Sequence, residues 1–489
     1  MVALVQGAVA LPIVIFSLLA GVFADNFDRR RVMLIAQSFM FVVSVILTCM
    51  AFAGLLSPWL LLGLTFLIGC GTALHNPSWQ ATMGDIVSRE ELPSAVSLNS
   101  MGFNLMRCIG PAAGGAIVAA AGVASAFAIN ALSYVAILLT LFRWAAPIRD
   151  THLPREPMGS AFAAGLRYVA MSPNLLRVIL RGFWFGLSAI ALLALLPVVV
   201  RETLNSNAIV YGILLGCFGM GAVAGAILNA RLRAWLNNET IAKGAFIGYA
   251  ISCAVLAFSA QTVVSGAALI VTGACWVLAL SMFNVTVQLS TPRWVIGRAL
   301  ALYQTGTFGG MAAGSLIWGA LAEWAGLDTA LLGASVLLVV GALIGLPFPL
   351  PEFGGLDLDP LNRFREPTTR FDLDYRSGPV IIMVDYEIAQ NDVHEFLDIM
   401  SQRRRIRIRD GAQQWALLRD LHQPEHWIES YHVPTWGEYV RHNERRTKAD
   451  ADLFTRLGNL HCGSGSPNVR RMIERQTVPL HDDMQQKGG

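Results

Sequence analysis

Gly21-Val22-Phe23-Ala24-Asp25-Asn26-Phe27-Asp28-Arg29-Arg30-Arg31 is the stretch on which the fold turns. An apolar run (roughly 3–24) ends in it, a carboxylate follows, three consecutive arginines close it, and a second apolar run opens at about 32. About 20 mainly apolar residues span a bilayer as a helix, so the stretch reads as a tight polar turn between two spanning helices. The first run has no positive n-region, is too long for a signal-peptide core and runs straight into Asp25, so it is not read as a cleaved leader.

Outward from this turn the pattern repeats. Further apolar runs occupy roughly 59–83, 93–120, 122–142, 178–200, 208–230, 241–259, 263–288, 296–320 and 328–350, eleven in all. The first 350 of the 489 residues hold 17 Lys+Arg and 11 Asp+Glu, or 8% charged; the last 139 hold 19 and 22, or 29%. An ordinary soluble protein carries about 25%. Lipid is therefore the expected solvent of the first part and water that of the second. The net charge of +3 excludes the strongly basic balance of a dedicated nucleic-acid binder. Arginine outnumbers lysine 33 to 3, as in GC-rich bacterial genomes, and the seven cysteines follow no disulfide or metal spacing.

Lys and Arg in short loops are retained in the cytoplasm. Fourteen lie in loops on one side, Arg29–Arg31, Arg89, Arg167 and Arg293 among them, against Arg201 alone on the other. That bias places the arginine-rich loops and the tail in the cytoplasm and Met1 outside. Landmarks recur at an offset of 204 residues: Gly21 with Gly225, Asp25 with Asn229, Arg29 with Arg233, Gly110 with Gly314, Gly115 with Gly319, and Gly122 with Gly326. Parallel six-helix halves are a transporter design with the substrate site between them. The helix at 178–200 opens the second half, and its counterpart falls at about −26 to −4, so a first helix is expected ahead of Met1. An upstream reading frame lacking about 20 apolar residues would refute this.

With Gly21, Asp25, Arg29 and Arg30 in place, the opening stretch resembles the loop between helices 2 and 3 of the major facilitator superfamily, a Gly-x-x-x-Asp-(basic)-x-Gly-Arg-(basic) pattern. Asn26 stands at the usual basic position and Asp28 at the usual glycine. The resemblance implies a gating network at the cytoplasmic end that holds the outward-facing state. Arg107-Cys108-Ile109-Gly110-Pro111-Ala112-Ala113-Gly114-Gly115 is similar to the Gly-Pro-x-x-Gly-Gly element of helix 5 in the superfamily's exporters, with Met106 at an upstream glycine position. Pro111 is expected to kink its helix, and Gly114 and Gly115 to admit a close neighbour. Together with the helix 4 segment from Gly71 to Gln80, Ser88-Arg89-Glu90-Glu91-Leu92 and Ser97-Leu98-Asn99, most of residues 1–350 resembles the enterobactin-exporter-like branch, the transmembrane secretion effectors.

Polar groups inside membrane helices are functional candidates by default. The resemblance implies that helices 1, 4, 7 and 10 line the cavity. The candidates for contact with substrate are then His75, Asn76 and Gln80; Arg181 and Trp184; and Trp276, Asn284 and Gln288. Each reads equally as an interhelical hydrogen-bonding or packing residue. Every Asp or Glu before residue 350 lies in a loop or at a helix end, which leaves His75, Asp25 or the expected upstream helix to carry proton coupling.

The tail opens with a Pro-, Gly-, Asp- and Arg-rich linker. Val380–Ile388 reads as a strand, Asn391–Arg405 as a helix stopped near Gly411, Gln413–Asp420 and His426–Val433 as a hairpin, Trp436–Leu457 as a second helix and Arg470–Gln476 as a last strand. The order is that of a ferredoxin-like α+β unit and resembles the dimeric barrel of antibiotic-biosynthesis monooxygenases. Pro424 breaks any helical pairing of the tail histidines, so no metal site is expected. The run from Arg403 to Arg409 reads as a solvated helix C-terminus, or as a patch touching anionic headgroups.

The expected architecture is an all-α polytopic membrane protein of the major facilitator fold with a small cytoplasmic α+β ferredoxin-like domain. Its parts are an N-terminal half (1–142), a central loop (143–177), a C-terminal half (178–350), a linker (351–378) and the tail domain (379–480). The expected function is secondary export of a small amphipathic compound, siderophore or drug, across the bacterial inner membrane. No P-loop, cofactor or metal is implied, and a tail-mediated homodimer is the modest expectation. A membrane-tethered monooxygenase-like enzyme acting on a quinol-like compound and a non-transporting scaffold are the rival classes.

Overall fold

The computed structural model describes residues 2–474 except 89, 146–152, 155, 353–356, 359–360, 362–363 and 372. It divides into two compact units. The first comprises Met1–Pro147, Pro173–Thr291 and Val295–Phe353; the second comprises Ile148–Ser172, Pro292–Trp294 and Gly354–Gly489.

Among the described residues the first unit holds eleven helices of 18 to 30 residues, one for each apolar run. They are α1 (Val2–Asn26), α2 (Arg29–Phe52), α3 (Pro58–Ile86), α4 (Leu92–Ala121) and α5 (Val123–Arg143) in the first half. The second half has α7 (Pro173–Val198), α8 (Ala208–Trp235), α9 (Asn238–Phe258), α10 (Thr262–Leu289), α11 (Ile296–Ala325) and α12 (Leu327–Ile344). Eight are long and apolar enough to cross a membrane by length and composition. Their starts are set by polar residues that satisfy the first free amides. Ser57 accepts from Leu60, Asn207 from Ile209 and Val210, and Asn237 from Thr240. Pro197 ends the regular part of α7, and the chain runs on through a π turn at Val199–Thr203.

The second unit begins with α6 (Met158–Met171), inside what the sequence presents as a bare central loop. The tail folds as β1 (Val380–Glu387), α13 (Val393–Arg409), β2 (Gln413–Arg419), β3 (His426–Val433), α14 (Trp436–Glu444), α15 (Lys448–Leu460) and β4 (Asn468–Ile473). The four strands form one antiparallel sheet in the order β2-β3-β1-β4. Alternation along β1 turns Val380, Ile382, Val384 and Tyr386 inward against Phe396 and Ile399 of α13. Gly411 stops α13 with φ of +121°, a conformation suited to glycine.

Three expectations for the tail need correction. Trp436–Leu457 is two helices, because Thr447 and Asp450 form a capping box that starts α15 afresh. The last strand begins at Asn468 and ends at Ile473. The arginine run is largely not solvated. Arg403 and Arg407, one turn apart, are buried and ion-paired to the fully buried Glu429 of β3 at 2.8 and 3.2 Å. Arg409 pairs with Asp410 at 2.8 Å and Asp450 at 3.3 Å, its guanidinium over the Tyr168 ring of α6. Among the described residues no group of His, Cys, Asp and Glu is arranged to hold a metal ion.

His442 lies in this buried cluster. Its Nε2 is 2.8 Å from Arg407 Nη1 and so accepts, and its Nδ1 faces the Asp410 carbonyl at 3.3 Å. Burial, then the charges of Arg407 and Arg446, hold its pKa well below 6.5. A depressed folded pKa contributes stability above the unfolded value that is lost as pH falls. The thermal midpoint of the second unit, followed by protease sensitivity of the tail in the purified full chain, should therefore fall between pH 7 and pH 5. His442→Gln should flatten that slope; a wild-type midpoint constant across the window would contradict the assignment.

Candidate functional site

The opening stretch forms a seam between the two halves at the arginine-rich end of the first unit. A Cβ on Gly21 would lie 2.6 Å from the Gly297 carbonyl, and one on Gly297 would lie 2.8 Å from the Gly21 carbonyl. The backbones of α1 and α11 can touch only because both positions are glycine. One turn beyond Gly21, Asp25 meets the amides at the start of α11 that have no partner within their own helix. Its Oδ1 accepts from Gly297 N at 2.8 Å, and its Oδ2 from Arg298 N at 3.1 Å and Arg298 Nε at 2.9 Å. Only 1% of the Asp25 side chain is exposed. A carboxylate is well suited here, since a helix N-terminus offers free N–H groups and a positive dipole end.

Arg29 extends the seam into the first half. It donates to the Ala81 carbonyl at 2.6 Å and to Asp85 Oδ2 at 2.7 Å, both on α3, and lies 3.8 Å from Asp25. Arg30 donates to the Leu141 and Phe142 carbonyls at 2.8 and 2.6 Å, where the last turn of α5 lacks internal donors. The exposed Asp28 caps α2 by accepting from Arg30 N. Of this network Gly21, Asp25, Arg29 and Arg30 are legible from the motif. Asp85, Gly297 and Arg298 are not, because nothing in their spacing marks them as partners of Asp25 and Arg29.

The second half closes in the related way. Asn229, 204 residues after Asp25, donates to Ser97 Oγ of α4 at 2.7 Å and to Ser281 Oγ of α10 at 2.9 Å, and accepts from Arg233 Nε at 3.1 Å. A third contact lies between α3 and α10. Asn284 Nδ2 donates to Gln80 Oε1 at 2.6 Å, and Gln288 Nε2 to Asn284 Oδ1 at 2.7 Å. Gln80 and Asn284 are themselves 204 apart, as are Gly84 and Gln288, whose Oε1 is 3.9 Å from a Cβ placed on Gly84. Residues that meet their own counterparts lie about the local twofold axis. The offset alone held that signal.

The other candidates go to different places. His75 Nδ1 faces Gln37 Nε2 of α2 at 3.3 Å, and Asn76 is half-buried beside it on α3. Arg181 is buried against Glu239 of α9 at 2.5 Å, with the Phe246 ring beneath its guanidinium, and Glu239 also accepts from Leu350 N at 2.9 Å. Trp184 donates to the Leu337 carbonyl of α12. Trp276 packs among Phe185, Phe218 and Tyr249. These three therefore engage helices of their own half. The side chains of Arg107 and Pro111, and Gly115, lie outside the described residues.

Among the described residues a Cβ on Gly114, where the sequence suggests a close neighbour, would meet nothing within 4 Å, and the same holds at Gly110. Gly314, the counterpart of Gly110, is in tight contact, a Cβ there falling 2.2 Å from the Leu187 carbonyl of α7.

Two helical halves related by a 204-residue repeat, a seam of glycines and ion pairs at one end, and polar groups between the halves define a membrane transporter of the major facilitator fold. The human organic anion transporter MFSD10 shares it, with a TM-score of 0.61 at 17% identity over 70% of this chain and 82% of that one. Within that fold the chain belongs to the transmembrane secretion effector family, whose profile matches residues 1–477. It is 25% identical to the MFS-type transporter YfiS of Bacillus subtilis over 69% of this chain and 82% of that protein. It is 26% identical to the enterobactin exporter EntS of Salmonella typhimurium over 67% of this chain and 80% of that protein. The protein is thus a multi-pass membrane transporter related to siderophore exporters.

Proposed function

We propose that the chain exports a small amphipathic, siderophore-like compound across the bacterial inner membrane by proton-coupled alternating access, with its arginine-rich end in the cytoplasm. The observation that carries this reading is the Asp25 carboxylate, which bridges α1 and α11 from one half to the other. With the Asn229 and Gln80–Asn284 contacts it latches the halves together at that end, leaving any opening to face the other side. The likeness to EntS supports outward transport, and the 14-to-1 loop bias supports the orientation. His75, beside Gln37 within the first half, is the candidate for carrying the proton. The strand order β2-β3-β1-β4 supports a ferredoxin-like reading of the tail.

Everted membrane vesicles test the proposal. Energised vesicles containing the protein should accumulate iron-free enterobactin, and a protonophore should collapse the accumulation. Accumulation only in right-side-out vesicles would reverse the direction, and indifference to the protonophore would remove the coupling.

A further inference from the structure

The second unit contains a cavity of about 280 Å³ between the inner face of its sheet and α14 and α15. Four arginines line it: Arg403, Arg407, Arg446 and Arg471. Glu429 neutralises part of the charge of the first two and is shared between them. Among the described residues neither Arg446 nor Arg471 has a carboxylate within ion-pair distance. Arg446 donates to the Asn443 side-chain oxygen, while its buried Nε has no partner. Arg471 donates to the Tyr439 hydroxyl at 2.7 Å and to the Val469 carbonyl. The excess is felt locally: burial, and then Arg407, push the Arg446 pKa down to about 10. A buried cation without a counter-charge is costly, and an entering anion relieves that cost.

The rest of the wall is aromatic and aliphatic. The Phe454 ring is held between the Arg403 and Arg446 guanidinium groups, each 4.8 Å from its centroid. Val384, Leu457 and Val469 complete an apolar side. Pockets for drug-sized ligands run to about 300–1,000 Å³, so this one suits a smaller molecule. From this combination we infer that the cavity binds a small aromatic acid, a single ring bearing one carboxylate. The acid group pairs with Arg446 and Arg471, and the ring lies on the apolar wall. The site belongs to the second unit and does not depend on the direction of transport.

The test uses purified full-length protein in micelles, titrated calorimetrically with benzoate and with benzamide, its neutral isostere. Benzoate should bind at one saturable site, and benzamide about tenfold or more weakly. Arg446→Gln combined with Arg471→Gln should weaken benzoate by at least about tenfold. Gly458 is a second handle that leaves the charges alone. It lies one turn after Phe454 on the same helix face, lines the cavity, and a Cβ there meets nothing within 4 Å. Gly458→Leu should fill the space and abolish binding while favouring the helix. No saturable benzoate binding, equal affinity for benzamide, or wild-type affinity in Gly458→Leu or in the double arginine variant would each overturn the inference.

Discussion

Asp25→Asn should reduce efflux at least tenfold while leaving the amount of protein in the membrane near wild type. The carboxylate accepts from three donors, two of them backbone amides at the start of α11 and one the Arg298 guanidinium. An asparagine keeps the size but offers one acceptor oxygen and turns an NH2 group toward a donor. Hydrogen bonds to a charged group contribute about 1.5–3 kcal/mol each, and the site is nearly dry. A loss of about 3 kcal/mol from one of two interconverting states changes their ratio about a hundredfold. In the alternating-access cycle proposed above these contacts belong to the state closed at this end, so their loss should stall the cycle with the seam open. Asp28→Asn is the matched control. Asp28 is half exposed, caps α2 and lies 3.6 Å from the still more exposed Arg31, so its loss should alter efflux less than about twofold. Unchanged efflux in Asp25→Asn would remove the seam from the transport cycle.

Glu429→Gln should destabilise the second unit by about 3 kcal/mol or more, raising the protease-sensitive fraction of the tail about a hundredfold. Glu429 is fully buried and receives Arg403, Arg407 and the Trp415 indole. Burial alone would raise its pKa; the two guanidinium groups outweigh that and hold it at about 2. The sign follows from linkage: a depressed carboxylate contributes stability above its unfolded pKa, near 4.5, that is lost as pH falls toward 2. Removing the carboxylate leaves two buried arginines without a counter-charge, the costly way to break such a pair. Glu395→Gln provides the contrast. The Glu395–Arg456 pair has the same kind of separation, 3.0 Å, but both partners are half exposed, and its loss should cost less than about 1 kcal/mol. Equal effects of the two substitutions would show that burial of Glu429 is not what matters.

The helices were legible because the lipid imposes its own pattern. A spanning helix must be long, apolar and bounded by charge, and each of the eleven runs in the sequence became one helix. Their edges were less certain. Pro173 starts α7 a turn early, since a proline is readily accommodated where the first amide needs no partner. Asp25 was legible through its motif. Its partners Gly297 and Arg298 lie more than 270 residues away, and no local rule connects them. The arginine run misled for the same reason. On one helix Arg403 and Arg407 look solvated, and only the strand that carries Glu429 into the interior turns them inward.

By itself, then, the sequence determined the helix count, the charge asymmetry of the loops, the 204-residue repeat and the division into an apolar and a polar part. These follow from composition and spacing, which the solvent reads segment by segment. Only the tertiary structure decided which charges are paired, that Gln80 meets its own counterpart Asn284, and that Arg446 and Arg471 line a cavity without carboxylates. Such pairings depend on distances set by the packing of elements remote in the chain, where a shift of a few ångströms separates a buried ion pair from a solvated charge.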